Sequence, residues 1–315
     1  MVKLIAVISV SAFLCTGVSA EYVYEGQWSN GEQVPEGASL APNNSIYISY
    51  VMGNKICYFT STGSVLGSWG ITGTGDGQFE KAEDVFYASN GRVYCCDGDN
   101  DRVQYFTPSG SFLGKWGSSG TGDGQFNYPD EVTVTPNGTV YVTDSGNDRV
   151  QYFTADGSFL GKWGSNGSGD GQFDSTYGIA IAPNGNVYVG DMYNQRVQYF
   201  TPSGSFLGKW GSSGTGDGQF QYPRGLTFAQ DGTIFVSDWF NYRVQYFTST
   251  GSFLGEFGAT GSGNGQFNAP AGPAVTPDGA RIYVCDDEND RIQYFNRNEP
   301  NVQPASLGRV KALFK

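Results

Sequence analysis

Residues 101–147 read DRVQYFTPSGSFLGKWGSSGTGDGQFNYPDEVTVTPNGTVYVTDSGN, and the same pattern returns at Asp148, Gln195 and Tyr242, each 47 residues on, and at Asp290 after 48. A weaker copy begins at Asn54. A period of about 40–50 residues carrying strand-like runs between glycine turns marks a β-propeller, one blade per repeat. Each copy holds four short runs of alternating, β-branched or aromatic residues, here Glu131–Thr135, Thr139–Thr143, Arg149–Phe153 and Ser158–Trp163. Turn-forming PNG, DSGN and TADG segments and a glycine-rich loop join them, and no apolar pattern reaches helix length. Four strands per repeat is the composition of a propeller blade.

The residues carrying the repeat also resemble a known family. Pro-x-x-hydrophobic-x-hydrophobic, Pro-Asn-Gly, Val-Tyr-Val-x-Asp and Asn-x-Arg-Val-Gln-Tyr-Phe, found from about Pro35 to Phe295, are similar to NHL repeats. The resemblance implies an all-β propeller. It constrains function far less, because NHL propellers include enzymes, receptor sensors and protein- or RNA-binding platforms.

Counting from Pro35 gives six sets of the first three strands, hence six blades. The sixth set ends at Phe295 without an LGKWG of its own, whereas Tyr24–Ser29 (YEGQWS) carries a Trp in that slot. The N-terminal strand is therefore expected to complete the last blade and cover a bare sheet edge. Ser306–Lys311 (SLGRVK) is the competing segment and lacks the Trp. Residues 1–20 have the layout of a secretory signal peptide: Lys3, the apolar run Leu4–Leu14, then Val18-Ser19-Ala20. The expected division is a leader at 1–20, a propeller at 21–296 and a tail at 297–315, in a secreted protein with no membrane insertion after cleavage. Cys57 and Cys95 fall on neighbouring blades and permit a bond, with buried free thiols as the other state for the four remaining cysteines.

A formal charge of −12 argues against nucleic acid, whose affinity rests on Lys and Arg. The loop GTGDGQF at Gly120–Phe126 has the glycines of a phosphate loop, but no Gly-Lys-Ser/Thr follows it. Five near-identical copies at blade spacing make it structural, its Phe plugging the gap between sheets. Asp144 and Arg149 recur as Asp97/Arg102, Asp191/Arg196, Asp238/Arg243 and Asp286/Arg291, and read as an ion pair bracing one turn per blade. Blade one departs, with Tyr50 and Lys55.

Function is expected where the repeats disagree. At the turn between second and third strands, blades four and five carry Met192-Tyr193 and Trp239-Phe240 with Tyr242, where other blades carry Gly, Ser or acidic residues. At the start of the first strand the series is Glu36, Glu83, Asp130, Tyr177, Arg224 and Ala271. Exposed aromatics around an Arg are the composition of binding hot spots. The sequence thus predicts a non-catalytic, monomeric scaffold recognising a protein, peptide or glycan. The expected ligand-binding residues are Tyr177, Met192, Tyr193, Arg224, Trp239, Phe240 and Tyr242, with no catalytic residue, metal or cofactor. The alternative is a lactonase-like or lyase-like enzyme with Ca²⁺ at Glu36, Glu83 and Asp130. The chain contains no His, which removes the commonest general base and any Ser-His-Asp triad. A purely architectural repeat is the third reading.

Overall fold

The computed structural model describes residues 21–298, so the assigned leader and the candidate strand Ser306–Lys311 lie outside the described residues. Six four-stranded antiparallel sheets form, each from one repeat. Their first strands (Pro35–Leu40, Ala82–Tyr87, Pro129–Val134, Thr176–Ile181, Pro223–Phe228 and Pro270–Val275) touch one another in sequence and close a ring around a central channel. Among the described residues no helix is long and apolar enough to cross a membrane.

The ring closes through the N-terminus. Glu21–Trp28 pairs antiparallel with Arg291–Asn298 and becomes the fourth strand of blade six. The last strand therefore runs through Asn298, two residues past the expected boundary, because Glu21 and Tyr22 supply partners for Asn298 and Arg297. Tyr22 is buried between blades five and six, and its hydroxyl donates to the Gly279 carbonyl at 2.6 Å. Trp28 packs near Phe59 and Tyr283, both at 5.9 Å between centroids, so the strand also touches blade one.

The core is six clusters, each straddling two neighbouring blades. Between blades two and three, Tyr94 and Val103 meet Val140, Val142 and Phe153, and Phe126 of the GTGDGQF loop fills the gap, fully buried. The second-strand tyrosine of one blade also donates to a carbonyl in the next, as in Tyr94 to Ala155 at 3.0 Å and Tyr141 to Pro202 at 2.9 Å. All four described cysteines are buried and free.

The Asp–Arg pair does more than brace its own turn. Asp144 accepts from Arg149 Nε at 2.6 Å, from Asn147, from Gln151 and from the Asn127 amide. The Arg149 fork then donates to the carbonyls of Thr121, Gly122 and Gln125, and Gln151 Oε1 accepts from the Gly124 amide. One buried guanidinium thus ties the third strand to the whole glycine loop that arrives from the preceding blade. Blades two, four and six repeat this network, and in blade five Arg243 keeps Asp238 and the Gly216 and Gln219 carbonyls while its other Nη donates to Glu256. Blade one substitutes a half-exposed Lys55–Glu32 bridge.

Two tests follow from this packing. Deleting Glu21–Trp28 should open blade six and depress Tm sharply, read by thermal denaturation. Arg149→Leu strands a buried carboxylate and should cost about 3–5 kcal/mol in chemical denaturation. Lys55→Leu, at a partly exposed pair, should cost less than about 1 kcal/mol.

Candidate functional site at the loop-face mouth

Every first strand begins with a β-bulge. In blade three Pro129 pairs with Asp144 and the ladder resumes only at Val132–Val142, leaving Asp130 and Glu131 between. The same shift occurs in the other five blades. A bulge re-aims side chains out of the regular alternation, and here it presents its first residue to one mouth of the channel. Those residues are Glu36, Glu83, Asp130, Tyr177, Arg224 and Ala271. Gly37, Gly178, Gly225 and Gly272 take the second bulge position, and a Cβ at Gly225 would lie 2.5 Å from Pro273 Cδ and 2.9 Å from Gly272 Cα. The bulges therefore form the constriction of the channel.

Above it lies a cavity of about 630 Å³ on the loop face, whose lining includes Glu36, Glu83, Asp130, Tyr177, Arg224 and Trp239. Arg224 is its centre. One Nη donates to the Tyr177 hydroxyl at 2.7 Å and lies 2.8 Å from Glu36 Oε2; the other donates to Asp287 at 3.1 Å. The guanidinium sits over the Tyr177 and Trp239 rings, 4.9 and 4.6 Å from their centroids. Tyr177 in turn donates to Glu36 Oε1 at 3.2 Å, bridging opposite sides of the ring. On the other flank Tyr128 donates to Glu83, and Ser145 donates to Asp130 Oδ2.

Several buried polar atoms here lack a hydrogen bond: Asp130 Oδ1, Arg224 Nε, Trp239 Nε1 and Glu36 Oε2, the last held only by its charge contact with Arg224. Desolvation dominates the electrostatics. It pushes the Glu36 and Asp130 carboxyls well above the usual carboxylate range, and Glu83 upward too, while Arg224 pulls all three back in part. Arg224 itself stays charged, because Glu36, Tyr177 and Asp287 outweigh its loss of water.

The structure gathers Tyr177, Met192, Tyr193, Arg224 and Trp239 at this mouth, as the repeat departures suggested. Phe240 stands outside the lining, stacked on Trp239 at 4.4 Å, and Tyr242 packs against the core between blades five and six. The expected exposure holds for Tyr193 and Phe240 only. Met192 is buried and the Arg224 side chain is 11% exposed, because both fold down into the channel rather than out to solvent. Arg224 and Tyr177, from blades five and four, both reach across the channel to Glu36 of blade one.

The three carboxylates considered for Ca²⁺ meet separate partners: Glu36 meets Arg224 and Tyr177, Glu83 meets Tyr128, and Asp130 meets Ser145. Among the described residues no three His, Cys, Asp or Glu side chains converge on a metal position. Tyr128, Ser145 and Asp287 were not singled out from sequence. Tyr128 belongs to a third variable repeat position (Val34, Lys81, Tyr128, Ser175, Tyr222, Ala269), always in the left-handed region and just before the inner strand. Its variation was the available signal.

These shifts set a sign for stability. An acid whose folded pKa is raised favours the fold below its unfolded value, about 4, and loses that contribution as pH climbs through the folded value. For Asp84, on the same bulge, desolvation sets the folded value at about 7. Tm should therefore fall between pH about 4 and about 7, and Asp84→Asn should flatten that slope in thermal melts.

A model of the NHL repeat matches residues 126–153. No curated protein sequence matches the chain. Among solved structures, a gluconolactonase from Xanthomonas campestris is similar at 15% identity, over 86% of this chain and 88% of that one, with a TM-score of 0.64. A streptogramin B lyase is similar at 15% identity over 89% and 97%, TM-score 0.62, and virginiamycin B lyase from Staphylococcus aureus at 15% over 88% and 100%, TM-score 0.60. The expectation of a non-catalytic scaffold is corrected by these neighbours, which are enzymes. At such identity the likeness carries the fold, and no residue role is transferred. With six such blades in one closed ring and the repeat itself matched in blade three, the chain is an NHL-repeat six-bladed β-propeller.

Proposed function

We propose that the chain is a lactonase-like or lyase-like enzyme whose site is the loop-face mouth. The observation that carries this reading is the convergence of unpartnered buried donors and an unpartnered carboxylate oxygen around Arg224. Leaving such groups unsatisfied costs about 1–3 kcal/mol each, and a substrate that pairs them recovers that loss. Arg224 Nε and Trp239 Nε1 are donors suited to a carbonyl oxygen that gains negative charge as an ester is attacked. With no His in the chain, proton transfer falls to carboxyls and Tyr hydroxyls.

In lactone opening, Asp130 Oδ1 takes a proton from water as the water oxygen bonds to the carbonyl carbon. The ring C–O bond then breaks, and Glu83 in its acid form, held by Tyr128, gives its proton to the departing oxygen; the proton on Asp130 then passes through water to Glu83, restoring both groups. In the elimination reading the same carboxylate removes a proton from the carbon next to the one bearing the ester oxygen; a C=C bond forms as that C–O bond breaks, the acyl oxygens leave as a carboxylate, and no water is added. Burial raises both carboxyls above the ordinary carboxylate range, the kind of perturbation found at groups that transfer protons.

The test is turnover of gluconolactone in a pH-stat and of quinupristin by mass spectrometry. Ring opening by water adds one water to the product mass, and elimination leaves it unchanged. Asp130→Asn should lower kcat by about 100-fold or more. Arg224→Lys, which keeps charge but loses the planar fork, should cost about 100-fold. Activity should rise with pH through an acid limb above the ordinary carboxylate range, as Asp130 ionises. Full activity in Asp130→Asn, or no turnover of either substrate, would overturn the reading.

A further inference from the structure

Below the bulge constriction the channel opens into a second, larger cavity of about 940 Å³ on the opposite face. Its wall takes the last residue of each first strand: Leu40, Tyr87, Val134, Ile181, Phe228 and Val275. Every blade contributes an apolar or aromatic side chain there, whereas at the loop-face mouth four of the six equivalent positions are charged (Glu36, Glu83, Asp130 and Arg224). The floor is different. At the second bulge position four blades have Gly, but blades two and three have Asp84 and Glu131, and both carboxylates line this cavity rather than the mouth above.

Each carboxylate is anchored from the next blade: Val132 N–H donates to Asp84 Oδ2 at 3.0 Å, and Ile179 N–H to Glu131 Oε2 at 2.8 Å. Glu131 Oε1 takes no hydrogen bond among the described residues. No Lys or Arg lines the cavity, and neither acid has an ion-pair partner among the described residues. A small-molecule site typically combines an apolar wall with a few placed polar groups in a cavity of about 300–1,000 Å³. Two anchored carboxylates without a cation, at the closed end of an apolar funnel, call for a ligand with a positive head and an apolar body.

We propose that this funnel is a second binding site, separate from the loop-face mouth, for a small amphipathic amine whose ammonium group meets Asp84 and Glu131 while its body lies along Tyr87 and Phe228. The ammonium supplies up to three donors, enough for the free oxygen of Glu131 and the Asp84 carboxylate together. A bare carboxylic acid ligand would meet like charge, and a neutral apolar one would leave Glu131 unpaired.

The site should be pH-dependent. Asp84 and Glu131 line the same cavity and lie near Glu83, Glu36 and Asp130 on the neighbouring strands, with the Cys95, Cys96 and Cys285 thiols behind and the Tyr87 and Tyr141 hydroxyls along the wall. Burial raises both acids, with repulsion from Asp84 adding at Glu131 and repulsion from Glu83 adding at Asp84, while burial holds the thiols well above their ordinary value and Tyr141 at about 12. Asp84, at about 7, ionises between pH about 5.5 and about 8, so amine binding tightens as pH rises.

The probes are 2-phenylethylamine and its uncharged counterpart 2-phenylethanol, measured by calorimetry on the folded protein. The amine should bind at least about tenfold more tightly than the alcohol at pH about 8, the difference a charge-assisted contact makes. That preference should shrink at pH about 5.5. Glu131→Gln should abolish it, while Glu83→Gln at the other mouth should leave it intact. Equal affinity for the two probes in the wild-type protein, which requires no variant to fold, would overturn the proposal. So would loss of amine binding in Glu83→Gln with retention in Glu131→Gln.

Discussion

The buried guanidinium carried by blades two to six is the contact on which the ring depends. Arg149 has one end on Asp144 and the other on three carbonyls of the loop crossing from blade two. A glycine-rich loop has no side chains with which to fold itself, and its backbone must be satisfied from outside. The Arg provides that satisfaction, and the loop then delivers Phe126 to the blade interface. Asp144 pays a desolvation cost that raises its pKa, offset by four donors. Removing any member leaves the others buried and unpaired, so the network acts as one unit in every blade that carries it.

Because that frame is repeated, the channel is free to vary. All six inner strands share a bulge, and the two residues it releases face opposite ends of the channel. Glycine at the second position draws the strands together and separates the two cavities. The chain departs from glycine twice, and from small or acidic turn residues mainly in blades four and five. The result is a channel with a polar, partly unsatisfied mouth at one end and an apolar funnel with an acidic floor at the other.

The same geometry explains why a binding scaffold was the wrong expectation. Read along the chain, Arg224 and Trp239 look like exposed hot-spot residues. In the ring they turn inward, and Arg224 becomes the cation among Glu36, Asp287 and two aromatic faces. A desolvated charged cluster with spare donors and acceptors is a setting for chemistry more than for a flat protein contact.

The sequence by itself determined the number of blades, the strand sequence within each and the closing role of Tyr24–Ser29, because those features repeat at fixed spacing and each copy corroborates the others. It also pointed to the right repeat positions for the mouth, through Glu36, Glu83, Asp130, Tyr177 and Arg224. It placed the inner strand of blade three at Glu131–Thr135, where the structure has Pro129–Val134. The bulge is the reason: it lets Pro129 pair with Asp144 while Asp130 and Glu131 leave the ladder. What only the tertiary structure decided was direction and company. Whether Asp130 and Glu131 look up or down the channel, that Tyr177 meets Glu36 across 141 residues, and that Tyr128 caps Glu83 all depend on ring closure. Contacts across the channel join residues from different repeats, and no periodicity within one repeat encodes them.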